Sequence, residues 1–163
     1  MDETDLQAAE DAAERWLRRA LVDGDVAGVW PDTDTAFREL QVRDFLESIH
    51  GAPLEQIPEE TRVAAEAQFA DLVRDTPTHR AWSTFCRDRL MEWRRLWPDF
   101  EQAKRGPSVL RDDGAIVVPF TSPSPPRLAT AAGTTVASMN VAMRFGRGRW
   151  LMAGTVAHVA ETA

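Results

Sequence analysis

The 163-residue chain has the length of one ordinary domain, because a domain usually takes about 100–200 residues. With 44% hydrophobic and 28% charged residues, the composition is that of a globular protein and excludes disordered and fibrous classes. The net charge of −7 argues against a protein that binds nucleic acid or a membrane surface through its overall charge. The chain has no tyrosine, which excludes mechanisms that need a phenol as an acid or an oxyanion donor.

The compartment and the metal chemistry are also limited by composition. No run of 18 apolar residues exists, and the acidic start Met-Asp-Glu-Thr-Asp lacks the features of a signal peptide, so we expect a cytoplasmic protein. Cys86 is the one cysteine, and its neighbours Trp82 and Phe85 predict a buried thiol. The three histidines are too dispersed for a metal site, and we expect no cofactor.

The first hundred residues carry the 3.6-residue apolar spacing of helices. Thr33-Asp34 supplies an N-cap, Gly51 is expected to end a helix, and Pro58 is expected to begin the next one. Pro31 should break a short helical turn around residues 25–30. Four main helices are therefore predicted over residues 5–22, 33–51, 58–76 and 78–97. The last of them carries the most aromatic stripe, which either forms the spine of the core or lines a ligand cavity at its end.

After residue 107 the apolar period changes from 3.6 to 2, which predicts strands. The predicted strands cover residues 108–111, 115–121, 134–145 and 149–157, with hairpin turns at Asp112-Asp113-Gly114 and Gly146-Arg147-Gly148. The proline-rich residues 122–127 predict a rigid loop. Both faces of the last strand are apolar or small, so a second layer, supplied by a partner subunit, is expected to cover the outer face. We therefore predict a single α+β domain over residues 1–163 that forms a homodimer through its sheet.

Two segments resemble the NTF2-like superfamily, which includes SnoaL-like cyclases, ketosteroid isomerases and limonene epoxide hydrolases. Residues 140–156 are similar to its last two strands, with Arg149-Trp150-Leu151 at the start of the second. Residues 13–46 are similar to its early helices, through Trp16, Gly24-Asp25, Trp30 and the segment from Thr33 to Arg38. The resemblance covers about half the chain. Family members usually place a strand pair where residues 51–77 predict a loop and a helix.

The resemblance implies a curved sheet wrapped around helices as a cone, with a mostly apolar pocket at its open end. Trp30, Trp82 and Asn140 are the residues expected to bind a small, largely apolar ligand there. On this view the protein is a carrier or a SnoaL-like cyclase, isomerase or hydrolase of secondary metabolism. The alternative is a noncatalytic, dimeric interaction module whose interior is filled by side chains. Whether the protein is an enzyme at all stays open at this point.

Three residues are candidates for catalysis. Asp34 and Arg38, with Asp44, are the nearest match to the Asp-Arg-Asp relay of the family's epoxide hydrolases, but Asp34 and Arg38 also have the spacing of an ordinary helical ion pair. His79 is the better candidate for a general base, because Trp82 beside it supplies an apolar wall, although a lone histidine is often structural. Ketosteroid isomerisation is disfavoured because the chain lacks tyrosine.

The net charge conceals two halves of opposite sign. Residues 1–60 hold 16 acidic and 5 basic residues, whereas residues 61–163 hold 10 acidic and 14 basic residues. The arginines of the second half, Arg144, Arg147 and Arg149 among them, are suited to bind an anion. Alternatively they form a solvated face or contact the acidic N-terminal helix of a subunit.

Overall fold

A computed structural model describes residues 3–25, 28–71, 77–96, 99–123, 127–130 and 133–159. The helices lie mostly in the N-terminal part of the chain and the antiparallel sheet in the C-terminal part, so the α+β class is confirmed. The main helices are α1 (Glu3–Leu17), α2 (Thr35–His50), α3 (Glu59–Asp71) and α4 (Pro77–Leu96). Among the described residues, no helix has the length and apolar character that crossing a membrane requires.

The predicted boundaries of the first two helices are confirmed, whereas the predicted ends at residues 76 and 97 lie outside the described residues. A π-helical turn, Arg18–Val22, extends α1 to the predicted stop, and α2 begins after Asp34 and closes at Gly51. The prediction that Pro31 breaks a turn was wrong, because a 3-10 turn (Trp30–Asp32) contains it. Proline fits there because the first turn of a helix needs no N–H donor.

The sheet is formed by β1 (Lys104–Arg105), β2 (Val109–Leu110), β3 (Ile116–Thr121), β4 (Arg127–Thr130), β5 (Gly133–Gly146) and β6 (Arg149–Val159). β5 pairs with β3 on one edge and with β6 on the other, so that Val141 faces both Val118 and Thr155. β1 and β2 together follow the far edge of β3. β4 pairs with the start of β5 and was not predicted, because the prolines before it suggested a loop.

A register shift between Ala142 and Met143 breaks the strict alternation predicted for β6. Met143 pairs with Met152 whereas Ala142 pairs with Gly154, which leaves Ala153 as the extra residue of a β-bulge. On the outer face of the sheet, Asn140, Ala142 and Leu151 are buried within the single chain. A partner subunit is therefore not needed to bury these three residues, and the homodimer stays a prediction.

Buried side chains form two hydrophobic clusters. In the sheet cluster, α1 packs on the inner face of the sheet; its buried members are Ala9, Ala13, Trp16, Leu17, Ala20, Leu21, Val29, Phe100, Ile116, Val118, Phe120, Met139, Val141, Met143 and Met152. In the helix cluster, α2, α3 and α4 pack together; its buried members are Trp30, Val42, Phe45, Leu46, Ile57, Ala65 and Cys86. Side chains of the sheet cluster therefore fill the contact between α1 and the central strands of the sheet.

The acidic and basic halves of the chain pair with each other inside one molecule. Arg105 on β1 lies 3.3 Å from Glu10 and 3.1 Å from Asp11 of α1. Arg94 on α4 donates hydrogen bonds of 2.6 and 2.9 Å to the carbonyls of Leu21 and Val22. Much of the charge that suggested an anion site therefore has an internal partner.

Candidate functional site

A groove-shaped cavity lies between α1 and the β5–β6 hairpin, at the edge of the sheet cluster. Its volume is about 550 Å³, which falls in the range of about 300–1,000 Å³ typical of small-molecule sites. We call it the α1–hairpin cavity. It is lined by Asp5, Ala8, Ala12, Arg15, Trp16, Arg19, Val29, Asp32, Met143, Phe145, Gly148, Arg149 and Trp150.

One wall of the cavity is a single face of α1 and its extension. Ala8, Ala12, Arg15 and Arg19 are separated by three or four residues, which places them on one side of a helix. The two alanines leave room above the helix surface because their side chains end at Cβ. Trp16 closes the base of this wall and is itself buried in the sheet cluster.

The opposite wall is an aromatic corner on the hairpin. Phe145 pairs with Trp150 across the strands, and their rings meet edge to face with centroids 5.5 Å apart. Phe145 is 60% exposed although it is a large apolar residue. Arg147 and Gly148 form the turn with φ angles of 55° and 75°, the left-handed conformation of a tight type I′ hairpin, so this corner is fixed by a two-residue turn.

The loop Val29–Asp34 joins the two walls. The indole N–H of Trp16 donates to the Thr33 hydroxyl at 3.1 Å, and this hydroxyl donates to the Val29 carbonyl at 2.9 Å. The Asp34 amide donates to the Met152 carbonyl at 2.8 Å, which attaches the loop to β6. Buried hydrogen bonds therefore hold α1, the loop and the hairpin in one arrangement.

Two of the three arginines on the cavity wall are neutralised by neighbouring carboxylates. Arg19 lies 2.8 Å from Asp25, whose other carboxylate oxygen accepts from the Gly28 amide. A Cβ at position 28 would meet the ends of both side chains, so the pair would have to shift to accommodate it. Arg149 lies 3.1 Å from Asp32 and also donates to the Pro31 carbonyl.

Asp34 and Arg38, two of the predicted catalytic residues, have structural partners and do not line the α1–hairpin cavity. The Asp34 carboxylate caps α2 by accepting from the Ala36 amide at 3.0 Å. The Arg38 guanidinium donates to the carbonyls of Thr33 and Pro31 at 2.8 and 2.9 Å. The expected ion pair between them does not form, because each is turned toward the backbone instead, and Asp44 lies apart, 3.7 Å from Arg89.

Like charges surround Arg38. Burial, followed by the nearby guanidinium groups of Arg147 and Arg149, lowers the pKa of Arg38 below its usual value, while Asp34 and Asp32 oppose the shift. Arg38 and Arg149 donate to the same Pro31 carbonyl, and Arg147 donates to the Thr35 hydroxyl at 3.2 Å. These arginines hold the hairpin turn against the start of α2.

The predicted ligand-binding residues are dispersed. Trp30 is buried in the helix cluster, with the Arg38 guanidinium carbon 5.6 Å from its ring centroid. Asn140 is buried within the sheet between β3 and β6. His79 and Trp82 belong to α4, and their side chains lie outside the described part of the structure. Arg38 lies over the ring of Trp30, whereas Asn140 lies on β5, and none of these residues lines the cavity.

The sequence analysis missed the residues that line the cavity. Ala8 and Ala12 were not predicted to form a face, because alanine is common on both the buried and the exposed sides of a helix. The available signal was the pair Phe145 and Trp150, two large aromatic residues beside a predicted tight turn. Large apolar side chains at such an exposed position often mark a binding surface.

Other chemistry is limited in the described residues. They contain no group of three or more histidine, cysteine or acidic side chains that could hold a metal ion. Cys86 is buried in the helix cluster as predicted, and burial raises the pKa of its thiol to about 12. A thiol in that state is a poor nucleophile at neutral pH.

The fold and the cavity define an α+β domain with a space of ligand size between its first helix and its last hairpin. No family model, no curated protein and no solved structure matches the chain. The arguments for its function therefore depend on the geometry of the cavity.

Proposed function

We propose that this protein binds a small, largely apolar molecule in the α1–hairpin cavity. The observation that carries the proposal is a space of about 550 Å³ in which the small side chains of Ala8 and Ala12 and the rings of Phe145 and Trp150 lie among charged groups. Apolar clefts with a few polar groups at the rim are the usual form of a small-molecule site. Soluble proteins ordinarily bury large aromatic side chains, so the exposure of Phe145 is explained if a ligand covers it.

The cavity supports binding rather than catalysis. Among its described lining residues the titratable groups are arginines and two carboxylates, Asp5 and Asp32, and none is a histidine or cysteine. Asp32 is held by Arg149, and Asp5 has an interaction partner of its own. A general base needs a carboxylate or imidazole positioned toward the substrate, and the predicted pair Asp34 and Arg38 is used elsewhere.

A cavity-filling substitution tests the proposal. The neutral fluorophore N-phenyl-1-naphthylamine should bind the natural protein at one saturable site with an increase in emission. Ala12→Phe, on the cavity wall, should abolish this binding, and Ala8→Phe on the same wall should weaken it. Ala64→Phe, at an exposed position of α3, is the matched control and should leave binding unchanged. Circular dichroism verifies that each variant is folded.

Two results would refute ligand binding in this cavity: no saturable binding by the natural protein, or equal binding by Ala12→Phe and Ala64→Phe. Native mass spectrometry of the purified protein adds an independent measurement. A bound molecule that is present in the natural protein and missing from folded Ala12→Phe supports the proposal directly.

The second candidate function is a noncatalytic interaction module, favoured by the filled space between α1 and the sheet. The exposed side chains of Val109 and Leu110 on β2 give such a module an apolar edge. Light scattering after size exclusion tests it: a dimer that becomes a monomer in the variant Val109→Thr with Leu110→Thr supports this candidate. A monomeric natural protein refutes the homodimer.

The resemblance to the NTF2-like superfamily supports the ligand-binding proposal, because that family binds apolar molecules between helices and a sheet. Membership in the family, the homodimer through the sheet and the cytoplasmic location stay predictions from the sequence.

A further inference from the structure

The charges that line the α1–hairpin cavity are not fully balanced. Arg19 and Arg149 each have a carboxylate within 3.1 Å, and Asp5 and Asp32 are both engaged. Arg15 is the remaining charged residue of the lining. Within the described residues it makes neither a hydrogen bond nor an ion pair shorter than 4.0 Å.

The nearest acidic neighbours of Arg15 are already occupied. Asp11 lies one helical turn before it, but its carboxylate accepts from Gln7 at 2.7 Å and from Arg105 at 3.1 Å. Glu14 is bound by Arg18 at 2.9 Å. One helical turn after it stands Arg19, a like charge on the same face. Arg15 therefore adds an exposed positive charge to the cavity wall. Asp11 acts on it through space, but no described carboxylate forms a hydrogen bond or an ion pair with it.

A second unused donor lies on the opposite wall. Trp150 contributes its ring to the aromatic corner, and its indole N–H forms no hydrogen bond with the residues that the structure describes. It is not among the described buried polar atoms that lack a partner, so it is accessible to solvent. The cavity lining thus includes a guanidinium and an indole-bearing side chain whose N–H donors can exchange water for an acceptor of a ligand.

We propose that the ligand is an amphipathic monocarboxylate, whose apolar body covers Ala8, Ala12 and the Phe145–Trp150 corner and whose carboxylate binds Arg15. One guanidinium without an ion-paired partner fits one negative charge, and a planar guanidinium matches a carboxylate with two parallel hydrogen bonds. The indole N–H of Trp150 supplies a further donor. This inference rests on the proposed function and specifies the class of ligand for the same cavity.

Isothermal titration with three probes of equal chain length tests the inference: decanoate, decanol and decylammonium. The natural protein should bind decanoate at one site, at least 10-fold more tightly than decanol, and should bind decylammonium weakest. Arg15→Gln should weaken decanoate about 10-fold, a loss of about 1.4 kcal/mol, and leave decanol unchanged. Added salt should weaken decanoate alone.

Arg18→Gln is the matched control, because Arg18 is an exposed arginine on the adjoining helical turn that does not line the cavity. It should bind all three probes like the natural protein. Arg15→Lys keeps the charge without the planar fork and should recover part of the decanoate affinity. Trp150→Phe should weaken decanoate by a smaller factor than Arg15→Gln.

The outcomes separate this inference from the function on which it rests. Equal binding of decanol and decanoate, with no effect of Arg15→Gln, overturns the carboxylate ligand and leaves an apolar ligand site. Decanoate binding that Arg18→Gln weakens as much as Arg15→Gln also overturns it, because general charge would then be the cause. No binding of any probe overturns the proposed function itself.

Discussion

The two hydrophobic clusters of this chain differ in how their residues come together. The helix cluster draws its described members from residues 30–86, in three consecutive helices and the turns that precede α2 and α3. The sheet cluster joins α1 to strands about a hundred residues later, such as Val118 and Val141. The α1–hairpin cavity belongs to the sheet cluster alone.

The difference has a physical cause. Neighbouring helices adjust their crossing angles until side chains interlock. A helix that lies on a twisted sheet is filled against it only where its side chains are large enough. The small side chains of Ala8 and Ala12 line the cavity opposite the aromatic corner.

Truncation of a side chain in the helix cluster has the largest expected effect on the free energy of unfolding. Phe45 is fully buried and meets Phe85 with ring centroids 5.6 Å apart. Phe45→Ala should lower the free energy of unfolding by about 3–5 kcal/mol, because it removes apolar contact and leaves a hole. Urea unfolding followed by circular dichroism gives the value.

The same experiment determines whether the clusters unfold together. Val29 and Trp30 are adjacent in the chain and belong to different clusters, so we expect a single transition that shifts as a whole. A curve with two steps, of which only one moves in Phe45→Ala, would contradict this coupling. Met91→Ala, at an exposed position of α4, is the control and should change stability by less than about 0.5 kcal/mol.

Removal of the ion pairs between β1 and α1 has the next largest expected effect on stability. Arg105 is 27% exposed and contacts Glu10, Asp11 and, at 4.0 Å, Glu14. Arg105→Gln should destabilise the protein by roughly 1.5–3 kcal/mol, since it removes hydrogen bonds to charged groups. Arg111→Gln removes an exposed pair with Asp113 and should cost less than about 1 kcal/mol.

The pH dependence of the Arg105 contribution has a defined sign. Hydrogen bonds from Gln7 and then from Arg105 hold the pKa of Asp11 below its usual value of 3.8. A lowered pKa in the folded state stabilises the protein above pH 3.8, and that contribution is lost as the pH falls through the folded-state pKa. The difference in stability between the natural protein and Arg105→Gln should therefore shrink below about pH 4. A difference that grows on acidification would refute the role of Asp11.

The main helices and the two hairpins could be predicted because their signals are local. Asp34 before α2, Gly51 after it and Arg147-Gly148 between β5 and β6 act within a few residues of themselves. β4 and the bulge at Ala153 were not predicted, since they depend on pairing with distant residues of β5. Periodicity cannot show at which residue a strand slips by one position.

The lining of the candidate cavity was not predicted. The resemblance implied a mostly apolar pocket, and the structure contains a cavity of ligand size whose described lining includes none of the predicted site residues. Asp34 and Arg38 were predicted to be catalytic because their spacing places them on one face of a helix. In the structure both side chains bind backbone groups instead. Spacing along a helix places side chains on one face, but it does not show which carbonyl or amide lies beside them.

The smallest expected effect tests whether Asp34 is a cap or a catalytic group. Asp34→Ala should cost about 1 kcal/mol of stability, because the Ala36 amide loses its acceptor. Asp34→Asn keeps a capping oxygen and should be nearly neutral, and both variants should bind the apolar fluorophore as the natural protein does. Thermal unfolding and fluorescence titration provide the two measurements.

The asparagine variant separates the two roles, since an amide caps a helix as well as a carboxylate but cannot accept a proton from water. If Asp34→Asn is stable and yet abolishes turnover of a ligand that the natural protein converts, then the Asp34 carboxylate takes part in catalysis. The interpretation of Asp34 as a helix cap alone would then be wrong.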